Sequence, residues 1–126
     1  MKEMHLRLHH VQIAMPTGKE DEARTFYRDV LGMSEIDKPT NLQARGGAWF
    51  RSGGLELHLG IEVEFQPARK AHPGILVDSV QALAERLNSH GTVVTWDLNF
   101  PEYKRFHCFD CFGNRLEFLE PVLTAD

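Results

Sequence analysis

Phe109-Asp110-Cys111-Phe112-Gly113-Asn114-Arg115-Leu116-Glu117-Phe118-Leu119-Glu120-Pro121 is the stretch that decides how this chain folds. It reads as a turn followed by a strand. Asp110 can bond its neighbouring backbone, and Gly113 and Asn114 tolerate positive φ. From Arg115 onward the residues alternate. Leu116 and Phe118 suit a buried face, so Glu117 points to the opposite one. On a solvated face Glu117 is an ordinary surface carboxylate. Inside a cup it is a carboxylate aimed at a ligand, and the rest of the chain must decide between the two.

Working back from this strand, Arg105 to Phe109 reads as its predecessor, with Pro101 to Lys104 as a loop and Thr92 to Trp96 as a β-branched strand before that. Ser79 is placed to cap a helix whose apolar residues are Val80, Leu83, Ala84 and Leu87, and Gly91 closes it. Ile75 to Val77 is strand-like, and 62–71 is a connector. The first half has the same order. Leu8 to Met15 alternates as a strand, with Val11, Ile13 and Met15 on one face and His10, Gln12 and Ala14 on the other. Lys19 to Leu31 has helical spacing through Ala23, Phe26, Tyr27, Val30 and Leu31, with Gly32 behind it. Met33 to Ile36 and Trp49 to Arg51 read as short strands, with a loop over Lys38 to Gly47 between them. Leu55 to Ile61 is a clear strand that turns Glu56, His58 and Gly60 away from its leucines.

Each half is therefore a βαβββ unit with a His at its first strand and a Glu on its last. His10 and Glu56 stand about as far apart in sequence as His72 and Glu117, and Leu55-Glu56-Leu57 matches Leu116-Glu117-Phe118. Helices pack on one face of such strands. The four polar residues lie on the other face and would converge in a cleft. The implied architecture is α+β: two βαβββ modules, about 7–62 and 70–121, forming one domain with a curved mixed sheet and helices outside.

Composition narrows the function. The chain has 126 residues, the length of one domain, and a formal net charge of −4. No basic cluster suggests nucleic acid, and no run approaches a membrane span. The N-terminal residues have no apolar signal core, so the expected location is the cytoplasm. Cys108 and Cys111 are too few for a disulfide framework and read as structural. Two imidazoles with one or two carboxylates suit Zn, Ni, Mn, Co or Fe(II), and a two-His, one-carboxylate set suits Fe(II) oxygen chemistry. His58 shares the face of Glu56 and either lines the pocket or replaces Glu56 as the ligand. Arg105 and His107 share a strand face, and Tyr103 and Gln12 are candidates for the rim and wall of the pocket.

Three segments together resemble the vicinal oxygen chelate superfamily of glyoxalases, bleomycin-resistance proteins and extradiol dioxygenases. They are Leu8 to Met15, Glu22 to Gly32 with its Phe-Tyr and Leu-Gly pairs, and Asp110 to Glu117. The resemblance covers roughly residues 7–121. It implies a cup of paired modules around a divalent metal held by His10, His72, Glu117 and Glu56. Beside it, the residues themselves make Glu117 and Glu56 candidate catalytic bases and His107 a candidate acid or base, with His58, Arg105, Gln12 and Tyr103 as candidate substrate contacts. The resemblance also implies a homodimer and a small-molecule substrate handled by a lyase, isomerase or dioxygenase reaction. The alternative is a metal-free protein of the bleomycin-resistance type that sequesters a drug-like ligand. Ala14 and Gly60 stand where glyoxalase I carries Arg and Asn, which speaks against glutathione-adduct chemistry. His107 stands where extradiol enzymes carry a catalytic Tyr.

Overall fold

The computed structural model describes residues 4–123. Two four-stranded mixed sheets are formed, with orders β1-β4-β3-β2 and β5-β8-β7-β6. The strands are β1 (Val11–Met15), β2 (Ser34–Ile36), β3 (Ala48–Ser52), β4 (Leu55–Ile61), β5 (Gly74–Leu76), β6 (Thr95–Asp97), β7 (Tyr103–Phe109) and β8 (Arg115–Pro121). In each module the first strand runs parallel to the last, and the remaining pairs are antiparallel. A parallel pair needs a crossover, and the helix after each first strand supplies it.

The alternation read from the sequence sets which face is buried. Leu57 and Leu59 of β4, and Leu116 and Phe118 of β8, join one hydrophobic cluster with Phe50, Phe106, Tyr27, Val80 and Leu87. That cluster takes residues from both modules. Helix α3 (Val80–Ser89) begins as expected: the Ser79 hydroxyl accepts from the Ala82 N–H. Gly91, at φ 84°, ends it in the left-handed region that favours glycine.

The structure differs from the sequence reading in several places. Residues 8–10 precede β1 and are not part of the strand. The strand expected over Thr92 to Trp96 starts only at Thr95, while β7 starts at Tyr103 rather than Arg105. A short helix, α2 (Thr40–Gln43), lies in the expected loop. Helix α1 (Glu20–Ala23) continues over Arg24–Val30 with π-helical bonds, such as Leu31 N–H to the Phe26 carbonyl. The wider turn lets the adjacent Phe26 and Tyr27 both face inward, where both are buried.

One buried network ties the modules together. Asp110 accepts from the Tyr27 hydroxyl at 2.6 Å, from the backbone N–H groups of Phe112 and Asn114 at 2.8 Å each, and from the Asn114 amide at 3.0 Å. The same Asn114 amide donates to the Ala14 carbonyl at 2.8 Å. The turn quoted at the outset is thus clamped to α1 and β1 of the other module, and it sets where β8 begins.

Candidate metal centre

β8 carries Glu117 opposite its buried neighbours, and the ladder sets His107 of β7 directly across from it. His72 lies just before β5, the other neighbour of β8. Among the described residues, His72, His107 and Glu117 form a cluster whose potential donor atoms all lie within 4.8 Å of one another.

The hydrogen bonds fix the roles of these groups. His72 Nδ1 is 2.7 Å from the Lys70 carbonyl, which can only accept, so Nδ1 carries a proton. Its Nε2 is 2.8 Å from Glu117 Oε1. That approach is satisfied by a proton on Nε2 or by a metal ion in its place. A ring whose far nitrogen donates to a backbone carbonyl has the outer-shell arrangement typical of metal-bound histidine. Glu117 Oε2 accepts from Arg105 Nη1 at 2.8 Å, and Arg105 Nη2 donates to Asp97 at 3.0 Å. Burial opposes ionisation of Glu117, but the bonds from Arg105 and His72 outweigh it and hold its pKa below the ordinary value. Arg115 Nη2 lies 2.9 Å from His107 Nε2. A guanidinium only donates, so Nε2 accepts and the proton of the neutral ring sits on Nδ1. Burial first, and then Arg115, push the His107 pKa down and keep it neutral.

Module one holds a second group. His58 is buried between two rings, with Trp49 at 3.7 Å and 2°, and His10 at 4.0 Å and 14°. His58 Nε2 meets Glu56 Oε1 at 2.9 Å, and Arg51 donates to Glu56 Oε2 at 3.0 Å. The bonds from His58 and Arg51 lower the Glu56 pKa. Burial lowers that of His58 despite Glu56.

The ladder registers correct the repeat drawn from sequence. β1 sets Gln12 against His58, and β5 sets Gly74 against Glu117. Each of these first-strand residues follows its histidine, His10 or His72, by two. The counterpart of Glu117 is therefore His58, not Glu56, and the counterpart of His107 is Trp49. Glu56 lies behind His58 as its carboxylate partner. The expected convergence of His10, Glu56, His72 and Glu117 in one chain is not seen. Among the described residues, no hydrogen bond, ion pair or ring contact joins the module-one group to the module-two group.

The remaining candidates fall around these groups. Gln12 lines a crevice of about 450 Å³ together with His72, Asn114 and Arg115. Its side chain also lies over Gly60, where a Cβ would come within 2.6 Å of the Gln12 amide nitrogen. Tyr103 stacks edge-on against Phe100 and shares the strand face of Arg105 and His107. Sequence reasoning missed Asp97, Arg115 and Trp49. The alternation of β7 could have drawn in Asp97 only if its β6 partner had been known. Burial pushes the Cys108 and Cys111 thiols up to about 12, so neither is a ready nucleophile.

The depressed histidines have a consequence for stability. Their folded-state pKa values lie below the ordinary 6.5. The unfolded chain therefore binds protons first as pH falls, and their contribution is fully present above pH 6.5 and lost on acidification through the lowered values. Denaturant unfolding of the metal-free protein should show stability falling as pH drops below about 6.5, and His58→Asn should flatten that slope.

Paired βαβββ modules, each with its first strand parallel to its last, define the fold class. The chain belongs to the Glyoxalase/Bleomycin resistance protein/Dioxygenase superfamily, whose model matches residues 7–118. A glyoxalase family protein from Bacillus anthracis is 43% identical, with 97% of this chain and 100% of that one covered and a TM-score of 0.93. Two more distant structures share the fold. One is the fosfomycin resistance protein FosX from Listeria monocytogenes with Mn(II) and 1S,2S-dihydroxypropylphosphonic acid, at 17% identity, 95% coverage of each chain and a TM-score of 0.75. The other is the antibiotic-binding protein TnmS3 from a Streptomyces species, at 22% identity, covering 94% of this chain and 100% of that one, with a TM-score of 0.70. No curated protein matches the chain. No helix among the described residues is long and apolar enough to cross a membrane.

Proposed function

We propose that this protein is a divalent-metal-dependent enzyme acting on a small oxygenated molecule, as a lyase, isomerase or oxygenase. The observation that carries this reading is His72, anchored through Nδ1 to a backbone carbonyl with Nε2 presented to Glu117. His72 and Glu117 would hold the ion, which suits Zn, Mn, Ni, Co or Fe(II). When bound, it would polarise a substrate oxygen and stabilise negative charge developing beside it. His107 sits across the ladder from Glu117, neutral and with a proton on Nδ1. It is the group placed to give or take a proton at the bound substrate. The Mn(II)-bound FosX structure, on the same fold, supports a metal in this class of cup.

His10 and His58 are the module-one partners of this centre, with Glu56 orienting His58. In our reading the working unit is a homodimer in the cytoplasm, in which these two residues of one copy face His72 and Glu117 of the other. Two features support it. Among the described residues the donor cluster holds His72, His107 and Glu117 without His10 or His58, and apolar Leu6 and Leu8, shortly before edge strand β1, and Leu76, in edge strand β5, are exposed. Co-expressing an H10A/H58A chain with an H72A/E117Q chain tests this. Sites built from two copies regain metal-dependent activity in the mixed dimer, whereas sites built within one chain stay inactive.

A second reading, sequestration of a planar ligand without turnover, draws on the Trp49–His58–His10 stack, a ready aromatic surface. Binding that survives chelation of all metal would favour it.

A further inference from the structure

Charge balance around His72 and Glu117 says more about what this centre accepts, and the inference rests on the metal reading above. Arg105 bonds the carboxylates of Glu117 and Asp97, and Arg115 bonds His107 across the ladder from Glu117, so two guanidiniums and two carboxylates lie around the centre. With neutral imidazoles they cancel. A divalent ion on His72 and Glu117 leaves an excess of two positive charges in a partly buried pocket, where such an excess is weakly screened. It also places a cation beside Arg105, whose Nη1 bonds the other oxygen of the same carboxylate. Arg105 Nε is buried and has no hydrogen-bond partner among the described residues. The loaded centre therefore has unbalanced positive charge and a guanidinium with a donor to spare.

We propose that the substrate is a small 2-oxo or 2-hydroxy carboxylate whose carboxyl group is recognised by Arg105. Such an acid chelates through its 2-oxygen and one carboxylate oxygen. The second carboxylate oxygen remains for the guanidinium, whose planar array of donors matches it. The anion then offsets the charge that the metal introduces. Tyr103 stands on the same face of β7, roughly 7 Å along the strand from Arg105.

The bland alternative is that Arg105 only ties β6 to β7 and β8. Calorimetry on Zn-loaded protein separates the two, using glycolate and its neutral counterpart glycolamide as probes. Wild type, R105L and R105K are first titrated with Zn²⁺ alone. All three should take up zinc, R105L at least as tightly as wild type, because a cation next to the ion is removed. In R105L, glycolate affinity should then fall about tenfold, the scale of one charge-assisted bond, while glycolamide affinity stays unchanged. R105K, which keeps the charge but loses the fork, should fall in between. Normal zinc uptake with equal glycolate affinity in wild type and R105L would overturn the assignment of Arg105 and leave the metal reading standing. Failure of wild type to take up zinc or any other divalent ion would overturn both.

Discussion

Replacing His72 by alanine should abolish the divalent-metal binding proposed above and, with it, the proposed chemistry. Outer-shell changes at metal sites lower affinity roughly 10–100-fold, so removing a ligand itself should cost more than that. The loss should come from one ring, because His72 is the group whose Nδ1 is already committed to the Lys70 carbonyl. His72→Gln should rescue little, since an amide cannot reproduce the imidazole Nε2 presented beside Glu117 Oε1. Fold should be preserved, because His72 lies outside the hydrophobic cluster and outside any strand. Metal content after dialysis, read beside thermal unfolding, checks both halves of the expectation.

Asp110→Ala should be the most damaging single change to stability. It removes the acceptor of four hydrogen bonds and leaves the Tyr27 hydroxyl buried without its partner. Opening a buried, fully satisfied polar network costs about 3 kcal/mol or more. For a domain of this size that is a fall of roughly 10 °C in Tm. Tyr27→Phe removes one bond and leaves Asp110 with three donors, so it should cost about 1–2 kcal/mol. The two single changes and the double variant, compared by denaturant unfolding, should be clearly non-additive, because both act on one network. If Asp110→Ala unfolds like wild type, the turn does not clamp the modules as described.

The parts of this fold that were legible in the sequence are those written in alternation and caps. Leu55 to Ile61 and Arg115 to Pro121 declare their buried faces, and Ser79 and Gly91 mark both ends of α3. Strands β2 and β6 are three residues each, too short for a period to set their limits. The π-helical stretch after Ala23 was hidden because its apolar spacing also fits an α-helix.

The misalignment of the repeat has a sharper cause. Matching Glu56 with Glu117 differs from the observed register, His58 with Glu117, by two residues. A slip of two keeps every side chain on its own face, so alternation cannot detect it, whereas a slip of one would have turned the leucines outward. Only the strand pairing reveals it. That the donor cluster holds His72, His107 and Glu117 without His10 or Glu56 lay equally out of reach, because the repeat says only which faces are alike. Arg105 and His107 were readable as a pair on one face. Their partners, Asp97 and Arg115, required the ladder.

The central claim is that His72 and Glu117 hold a divalent ion, and equilibrium dialysis of the purified wild-type protein against Zn, Mn, Ni, Co and Fe(II), followed by elemental analysis, tests it most directly. One ion per chain should be retained for at least one of these metals, and retention should be lost in H72A and E117Q with the fold intact. Wild-type protein that retains none of the five would contradict it.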